Sequence, residues 1–268
     1  IDKIAKVAHD HGIPLVVDNT VATPYTYNPI EHGADLVVYS ATKGITGHGN
    51  VIAGLIVESG KFDWSKDKFP QFHEKHYTLR DIDGNYRSFL EVFPETPFTG
   101  KIRFTYLDYF GAALSPFDAY LVLIGLETLS ERVAKQVQNA KALAEYLKEH
   151  EAVEWVRYPS LKDSPYRFLA ERDFKKGAGG ILAFGFRGTD AQREEFLNSL
   201  KLFRYHVNIG DARSLIVNSP QTTHSMLEPD EKVMADIPEN LIRISAGLED
   251  INDLIADLDQ AFKKALNI

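Results

Sequence analysis

The chain has 268 residues, of which 44% are hydrophobic and 25% charged, the balance of an ordinary soluble globular protein. Its formal net charge of −8 argues against nucleic acid as a partner and supplies no basic face for a membrane surface. The absence of cysteine excludes disulfides, thiolate metal sites and a cysteine nucleophile, and it fits a cytoplasmic setting. No apolar run approaches the roughly 20 residues that cross a bilayer, and no cationic stretch followed by an apolar one reads as a signal peptide.

The opening dozen residues, IDKIAKVAHDHG, predict a helix with Ile1, Ile4, Ala5, Val7 and Ala8 on one face and Gly12 as its terminator. A chain that opens inside an alternating helix–strand rhythm is expected to continue a longer sequence upstream. PLVVD then reads as a buried strand, because it is a continuous β-branched run. NPIEHG is a short helical turn; DLVVYS and VIAGLIVES are two further strands. The pattern predicts an α/β domain whose mixed or parallel sheet is covered on both faces.

Residues 61–105 break this rhythm. They are aromatic and polar, with Pro70, Pro94 and Pro97 as breakers, and predict a long insertion without regular structure. Ser115-Pro116 is a helix start, and the helical pattern from Phe117 to His150 bends near Gly125. Beyond it, VEWVRY, ILAFGF, SLIVNS and LIRIS predict strands. DAQREEFLNSL and EDINDLIADLDQAFKKAL predict amphipathic helices, the acidic residues of the last forming its solvated face. Two domains are expected: residues 1–150, part of a large α/β domain with a linking helix, and residues 151–268, a small α+β domain.

Ligands of open α/β sheets bind at the carboxyl ends of strands. Asp18 ends one predicted strand, and Ser40, Thr42 and Lys43 follow another. The GxxxxGK[ST] spacing of a phosphate loop is absent. A carboxylate, two hydroxyls and a lysine match the needs of pyridoxal phosphate: an acid on its ring nitrogen, hydroxyls on its phosphate and an amine on its aldehyde. Each residue also has a plainer reading, as a turn cap, a turn hydroxyl or a solvated lysine, and a nucleotide-binding module on the same strand ends is the weaker alternative. HEKH, His73 to His76, has a helical metal-pair spacing but no third ligand in evidence, so no metal is expected.

VVDNTVATPY, GADLVVYSATKGITGHGN and NLIRISAGLEDINDLIADLDQAF resemble the cysteine/methionine-metabolism family of pyridoxal-phosphate enzymes. The resemblance covers almost the whole chain. Within the family it is strongest to the O-acetylhomoserine sulfhydrylase branch, through the insertion at 61–105, ALSPFDAYLVLIGLETLSERV and VNIGDARSLIVNSPQTTH. It implies a PLP-dependent transferase fold of the aspartate aminotransferase-like type (fold type I). It implies that Lys43 is the Schiff-base lysine and proton shuttle, and that Asp18 keeps the pyridine nitrogen protonated. Thr20 would line the cofactor, Ser40 and Thr42 would bind its phosphate, and Arg243 would clamp the substrate α-carboxylate. Asn208 stands where many relatives have serine near that carboxylate.

The implied reaction is replacement of the γ-substituent of O-acetylhomoserine by sulfide or a thiol. It gives homocysteine (or methionine) and acetate, in a cytoplasmic homotetramer built as a dimer of dimers. Methionine γ-lyase and cystathionine γ-synthase activities are the alternatives on the same scaffold. Members of the family place a cofactor-stacking tyrosine and further phosphate-binding groups upstream of the segment present here. A third possibility is therefore an inactive C-terminal fragment without a complete cofactor site.

Overall fold

The computed structural model describes residues 1–65 and 67–268. Contacts group them into two units. The first comprises 1–20, 28–41 and 52–120; the second comprises 21–27, 42–51 and 121–268.

In the first unit the helix Asp2–Asp10 precedes a three-stranded sheet of β1 (Val16–Asp18), β2 (Leu36–Ser40) and β3 (Gly54–Glu58). β1 runs parallel to β2, with Asp18 opposite Val38, and β3 runs antiparallel to β2. The sheet is mixed, as the alternation of elements predicted. Its covering differs from expectation: Leu36 and Val37 are buried, but Leu55, Ile56 and Val57 of β3 are each at least 40% exposed in this chain. On the first helix the predicted apolar face buries Ala5 and leaves Ile4 and Val7 exposed.

The insertion is not structureless. It forms a hairpin of β4 (Lys75–Arg80) and β5 (Tyr86–Ser88), followed by the helix Phe89–Val92 with a Ser88/Glu91 capping box and by the helix Pro97–Lys101. Aromatic packing supplies the order that periodicity did not reveal. Trp64 and Phe72 are buried with ring centroids 5.0 Å apart, and Trp64 stacks on Phe98 at 5.6 Å. Rings of this size dominate the apolar area a short segment buries. Glu58, at the end of β3, accepts hydrogen bonds from Thr99 N (2.8 Å) and Phe98 N (3.3 Å). A carboxylate there satisfies amides that the first turn of a helix leaves unpaired. His76 lies on β4 and His73 in the turn before it, so HEKH has no helical pair geometry.

The second unit is built on a five-stranded sheet, order β6 (Val153–Arg157), β7 (Ile181–Phe186), β10 (Leu241–Ser245), β9 (Leu215–Asn218), β8 (Arg204–Tyr205). All neighbours are antiparallel except β8 and β9. Alternate residues Leu182, Phe184 and Phe186 of β7 enter the core with Ile242 and Ile244 of β10. They meet the helices Leu129–Glu149, Asp190–Ser199 and Ile251–Leu266 there. Phe196 and Phe262 stack with centroids 4.4 Å apart, both fully buried. Truncating either ring costs about 3–5 kcal/mol at sites of this kind. The predicted bend near Gly125 is a break: one helix covers Pro116–Glu127, the next starts at Leu129, and Ser115 Oγ accepts Asp118 N as the cap.

The last helix departs from expectation at one acid. Asp257 is buried, and its carboxylate accepts hydrogen bonds from the amides of Lys201, Leu202 and Phe203 at 2.8–3.0 Å. The residue falls on the core side of the helix, where three unpaired amides of the connection after Asp190–Ser199 need an acceptor.

Candidate functional site

Within the first unit, β1 stops at Asp18 because its Oδ1 accepts the Thr20 amide (3.0 Å), a turn that competes with continued strand pairing. Thr20 Oγ1 accepts the amide of Ser40 at 2.8 Å and so joins the carboxyl ends of β1 and β2. Asn19, between them, is buried and donates to Tyr39 OH (3.3 Å). Three sequence-predicted residues, Asp18, Thr20 and Ser40, therefore form one cluster at two strand ends. The Asp18 carboxylate is exposed, while Thr20 and Ser40 are half-buried.

In the second unit, Thr42 and Lys43 are half-buried at the start of a turn closed by Gly47 N donating to Lys43 O at 2.8 Å. Lys43 Nζ donates to Asn208 Oδ1 at 2.6 Å. Arg243, on β10, donates through Nη2 to the backbone carbonyl of the same Asn208 at 3.4 Å. Asn208 thus joins the amine to the guanidinium. Arg243 is half-buried, and burial pushes its guanidinium below its ordinary pKa. No carboxylate among the described residues pairs with it. A guanidinium that is partly desolvated without an anion is placed to accept one.

Several supports of this arrangement carried no signal in the sequence. Gly210 lies at φ +68°, and a Cβ there would stand 2.6 Å from Gly44 N, so the segment carrying Asn208 passes directly against the Lys43 turn. Gly210 N donates to Ser245 Oγ at 3.0 Å, and Ala212 N donates to Gly47 O at 2.7 Å. Asp211 is buried and holds Arg213 with two hydrogen bonds to its guanidinium, both 2.9 Å. Burial raises the Asp211 pKa, but the Arg213 hydrogen bonds and charge outweigh it and leave the carboxyl below its ordinary value. The DAR spacing was the one available hint of that pair. In the segment after Lys43, Gly47 lies at φ +74° with the Arg132 guanidinium filling the place of a side chain.

No group of three or more metal-ligating side chains occurs among the described residues. The first unit presents an exposed carboxylate and two hydroxyls at strand ends; the second holds an amine and a half-buried guanidinium on one asparagine.

Comparison with known proteins decides the family. The model for the Cys/Met metabolism PLP-dependent enzymes matches residues 1–263. The chain belongs to this family. It is 43% identical to a homocysteine synthase of Schizosaccharomyces pombe over 267 residues, covering 98% of this chain and 61% of that protein. It is 39% identical to an O-acetyl-L-homoserine sulfhydrylase of Leptospira meyeri, covering 98% of this chain and 60% of that one. Among solved structures it matches a putative O-acetylhomoserine (thiol)-lyase of Campylobacter jejuni, which contains a pyridoxyl-lysine monophosphate. The TM-score is 0.89 at 35% identity, over 98% of this chain and 62% of that one. A cystathionine gamma synthase of Xanthomonas oryzae matches with TM-score 0.80 at 30% identity, over 99% of this chain and 59% of that one. The chain spans about three fifths of the length of these relatives. The fold is that of the PLP-dependent cystathionine and O-acetylhomoserine enzymes, fold type I, and the family's cofactor is pyridoxal phosphate. No helix among the described residues is long and apolar enough to cross a membrane.

Proposed function

We propose that this chain carries the lysine-bearing part of a PLP enzyme that replaces the acetate of O-acetylhomoserine with sulfide or a thiol. The products are homocysteine (or methionine) and acetate. The observation that carries the reading is the Lys43–Asn208–Arg243 chain, an amine and an anion-seeking guanidinium joined through one residue. The similarity to homocysteine synthase and O-acetylhomoserine sulfhydrylase favours this branch over methionine γ-lyase or cystathionine γ-synthase activity.

Pyridoxal phosphate, when bound, supplies a carbonyl for amines and an electron sink for charge developing on the substrate carbons. Lys43 Nζ is the amine that would hold it and afterwards move protons; Asn208 Oδ1 fixes where that amine rests. Asp18 would meet the ring nitrogen, Thr20 would line the ring, and Ser40 and Thr42 would donate hydroxyls to the phosphate. Arg243 would bind the substrate α-carboxylate with a two-pronged fork, which a guanidinium matches and an ammonium does not. Sulfide or the thiol comes from solution, consistent with a cysteine-free chain. The same reading places the enzyme in the cytoplasm as a dimer of dimers, with residues 1–150 in the large domain and 151–268 in the small one.

The test is to load the protein with pyridoxal phosphate, reduce with borohydride and map the modified peptide. Label on Lys43, absent from Lys43→Ala, is expected. Activity with sulfide is then compared on O-acetylhomoserine and O-succinylhomoserine. A strong preference for O-succinylhomoserine with cysteine would sink the assignment. A colourless chain that takes no label would support the fragment reading instead.

A further inference from the structure

Arg132 is buried in the long helix Leu129–Glu149, 5% exposed. Its Nη1 donates to Gly44 O (2.8 Å), its Nη2 to Ile45 O (2.8 Å) and Gly125 O (2.6 Å), and its Nε to Thr128 Oγ1 (3.1 Å). Every acceptor is neutral, and no carboxylate among the described residues pairs with the charge. A cation desolvated without an anion costs several kcal/mol, and an apolar side chain of similar volume would fill the slot more cheaply. Burial accordingly pushes its pKa below the ordinary value.

Two glycines are spent on accommodating it. Gly47, at φ +74°, leaves the space that Arg132 Nη1 occupies, and Gly125 lets the helix Pro116–Glu127 close on the backbone of Thr46, which is fully buried. Capping that helix explains only the bond to Gly125 O. Two of the four bonds go to the residues immediately after Lys43.

We propose that Arg132 is a positioning residue: its fork clamps the carbonyls of Gly44 and Ile45 and so fixes the turn from which Lys43 projects toward Asn208. What Lys43 accomplishes from that position rests on the function proposed above; the clamp does not. Lysine at 132 keeps the charge but cannot address Gly44 O, Ile45 O and Gly125 O with one planar fork. Thr128→Val removes the acceptor of Nε, together with the hydroxyl's own 3.4 Å bond to Gly125 O, and keeps charge and packing.

The experiment follows two local readouts in the loaded and unloaded protein. One is the rate and pH profile of acylation of Lys43 by acetic anhydride, resolved by peptide mass spectrometry with exposed Lys141 as reference. The other is hydrogen exchange at the Gly47 amide. Arg132→Met is expected to speed both by about tenfold or more, Arg132→Lys to recover part of that, and Thr128→Val to change both about two- to threefold in the same direction, as local opening of one turn requires. Unchanged rates at Lys43 and Gly47 in Arg132→Lys and Thr128→Val overturn the proposal. So does a change at Lys141 equal to that at Lys43, which marks general loosening. If the wild-type protein takes no cofactor on Lys43, the functional reading fails while the clamp stands. If it takes cofactor but the local rates ignore Arg132, the clamp fails alone.

Discussion

Gly210→Ala tests whether the Lys43 turn is held by direct backbone contact. Gly210 lies at φ +68°, and its new Cβ would stand 2.6 Å from Gly44 N and 2.8 Å from Gly44 Cα. Neither atom can swing aside as a side-chain tip can. The left-handed conformation costs a non-glycine residue about 1–2 kcal/mol. Forcing a methyl into filled space adds about 1–3 kcal/mol. A loss near 3 kcal/mol corresponds to a fall of roughly 10 °C in Tm for a unit of this size. Gly179→Ala is the control: it has φ +89° in the same unit, with nothing within 4 Å of its Cβ position. Both variants carry the backbone cost, and only Gly210→Ala carries the clash. Thermal melting gives the stability difference, and borohydride fixation of pyridoxal phosphate reports Lys43 placement. Gly210→Ala is expected to melt lower than Gly179→Ala and to label Lys43 poorly. Equal melting of the two, with full labelling in both, would refute the reasoning.

Arg243→Ala is expected to lower kcat/KM by about ten- to a hundredfold while cofactor colour is retained, because a hydrogen bond to a charged group contributes about 1.5–3 kcal/mol; a colourless variant would contradict a carboxylate role. Asp257→Ala strands the amides of Lys201, Leu202 and Phe203 and is expected to cost about 1–3 kcal/mol in urea unfolding, chiefly because the buried Phe203 amide loses its partner; an unchanged midpoint would show that water replaces the carboxylate. His150 stacks on Phe262 (4.5 Å), and its Nδ1 accepts Ala152 N at 3.1 Å, which requires a neutral nitrogen there. Burial lowers its pKa from 6.5, with Asp259 and Glu151 pulling it up and Lys263 pushing it down. The unfolded chain then binds more protons just below pH 6.5. This part of the stability is present above that pH and is lost as pH falls toward the folded pKa. His150→Gln should flatten the slope of urea midpoint against pH in that window, and an unchanged slope would assign it to another group.

The residues with one local cause were legible. β2, β7, β9 and β10 are apolar runs or period-2 patterns, and the sequence marks them without help. The strand-end polar groups followed from the same kind of reading, because Asp18 sits where the β1 run stops and Ser40 where β2 stops. The insertion was not legible. Trp64, Phe72, Phe89 and Phe98 come from separated positions, and no window shows that they pack together. Asp257 was misjudged for a related reason: an acid in an acidic helix looks solvated until the amides of 201–203 are seen to need it. The spacing in HEKH suggested a helix, but cross-strand pairing of His76 with Arg87 decided the segment.

Lys43 shows where a short motif stops being informative. Its identity is local, but its position is not. The amine is fixed by Asn208, 165 residues downstream, and its turn by Arg132, whose contacts reach back 88 and 87 residues to Gly44 and Ile45. Gly210 and Ala212 close the turn from the same distant segment as Asn208. Each support uses a backbone group or an amide, with no anion facing the lysine or Arg132 among these contacts. Placing a carboxylate at the Asn208 position would bind the amine more strongly and hold it protonated, which opposes its use as a base. A neutral amide holds the amine in place without that penalty. Asn208 receives Lys43 on its side-chain oxygen and Arg243 on its backbone carbonyl, so under the function proposed above one residue would keep the proton-moving amine in register with the cation that orients the carboxylate.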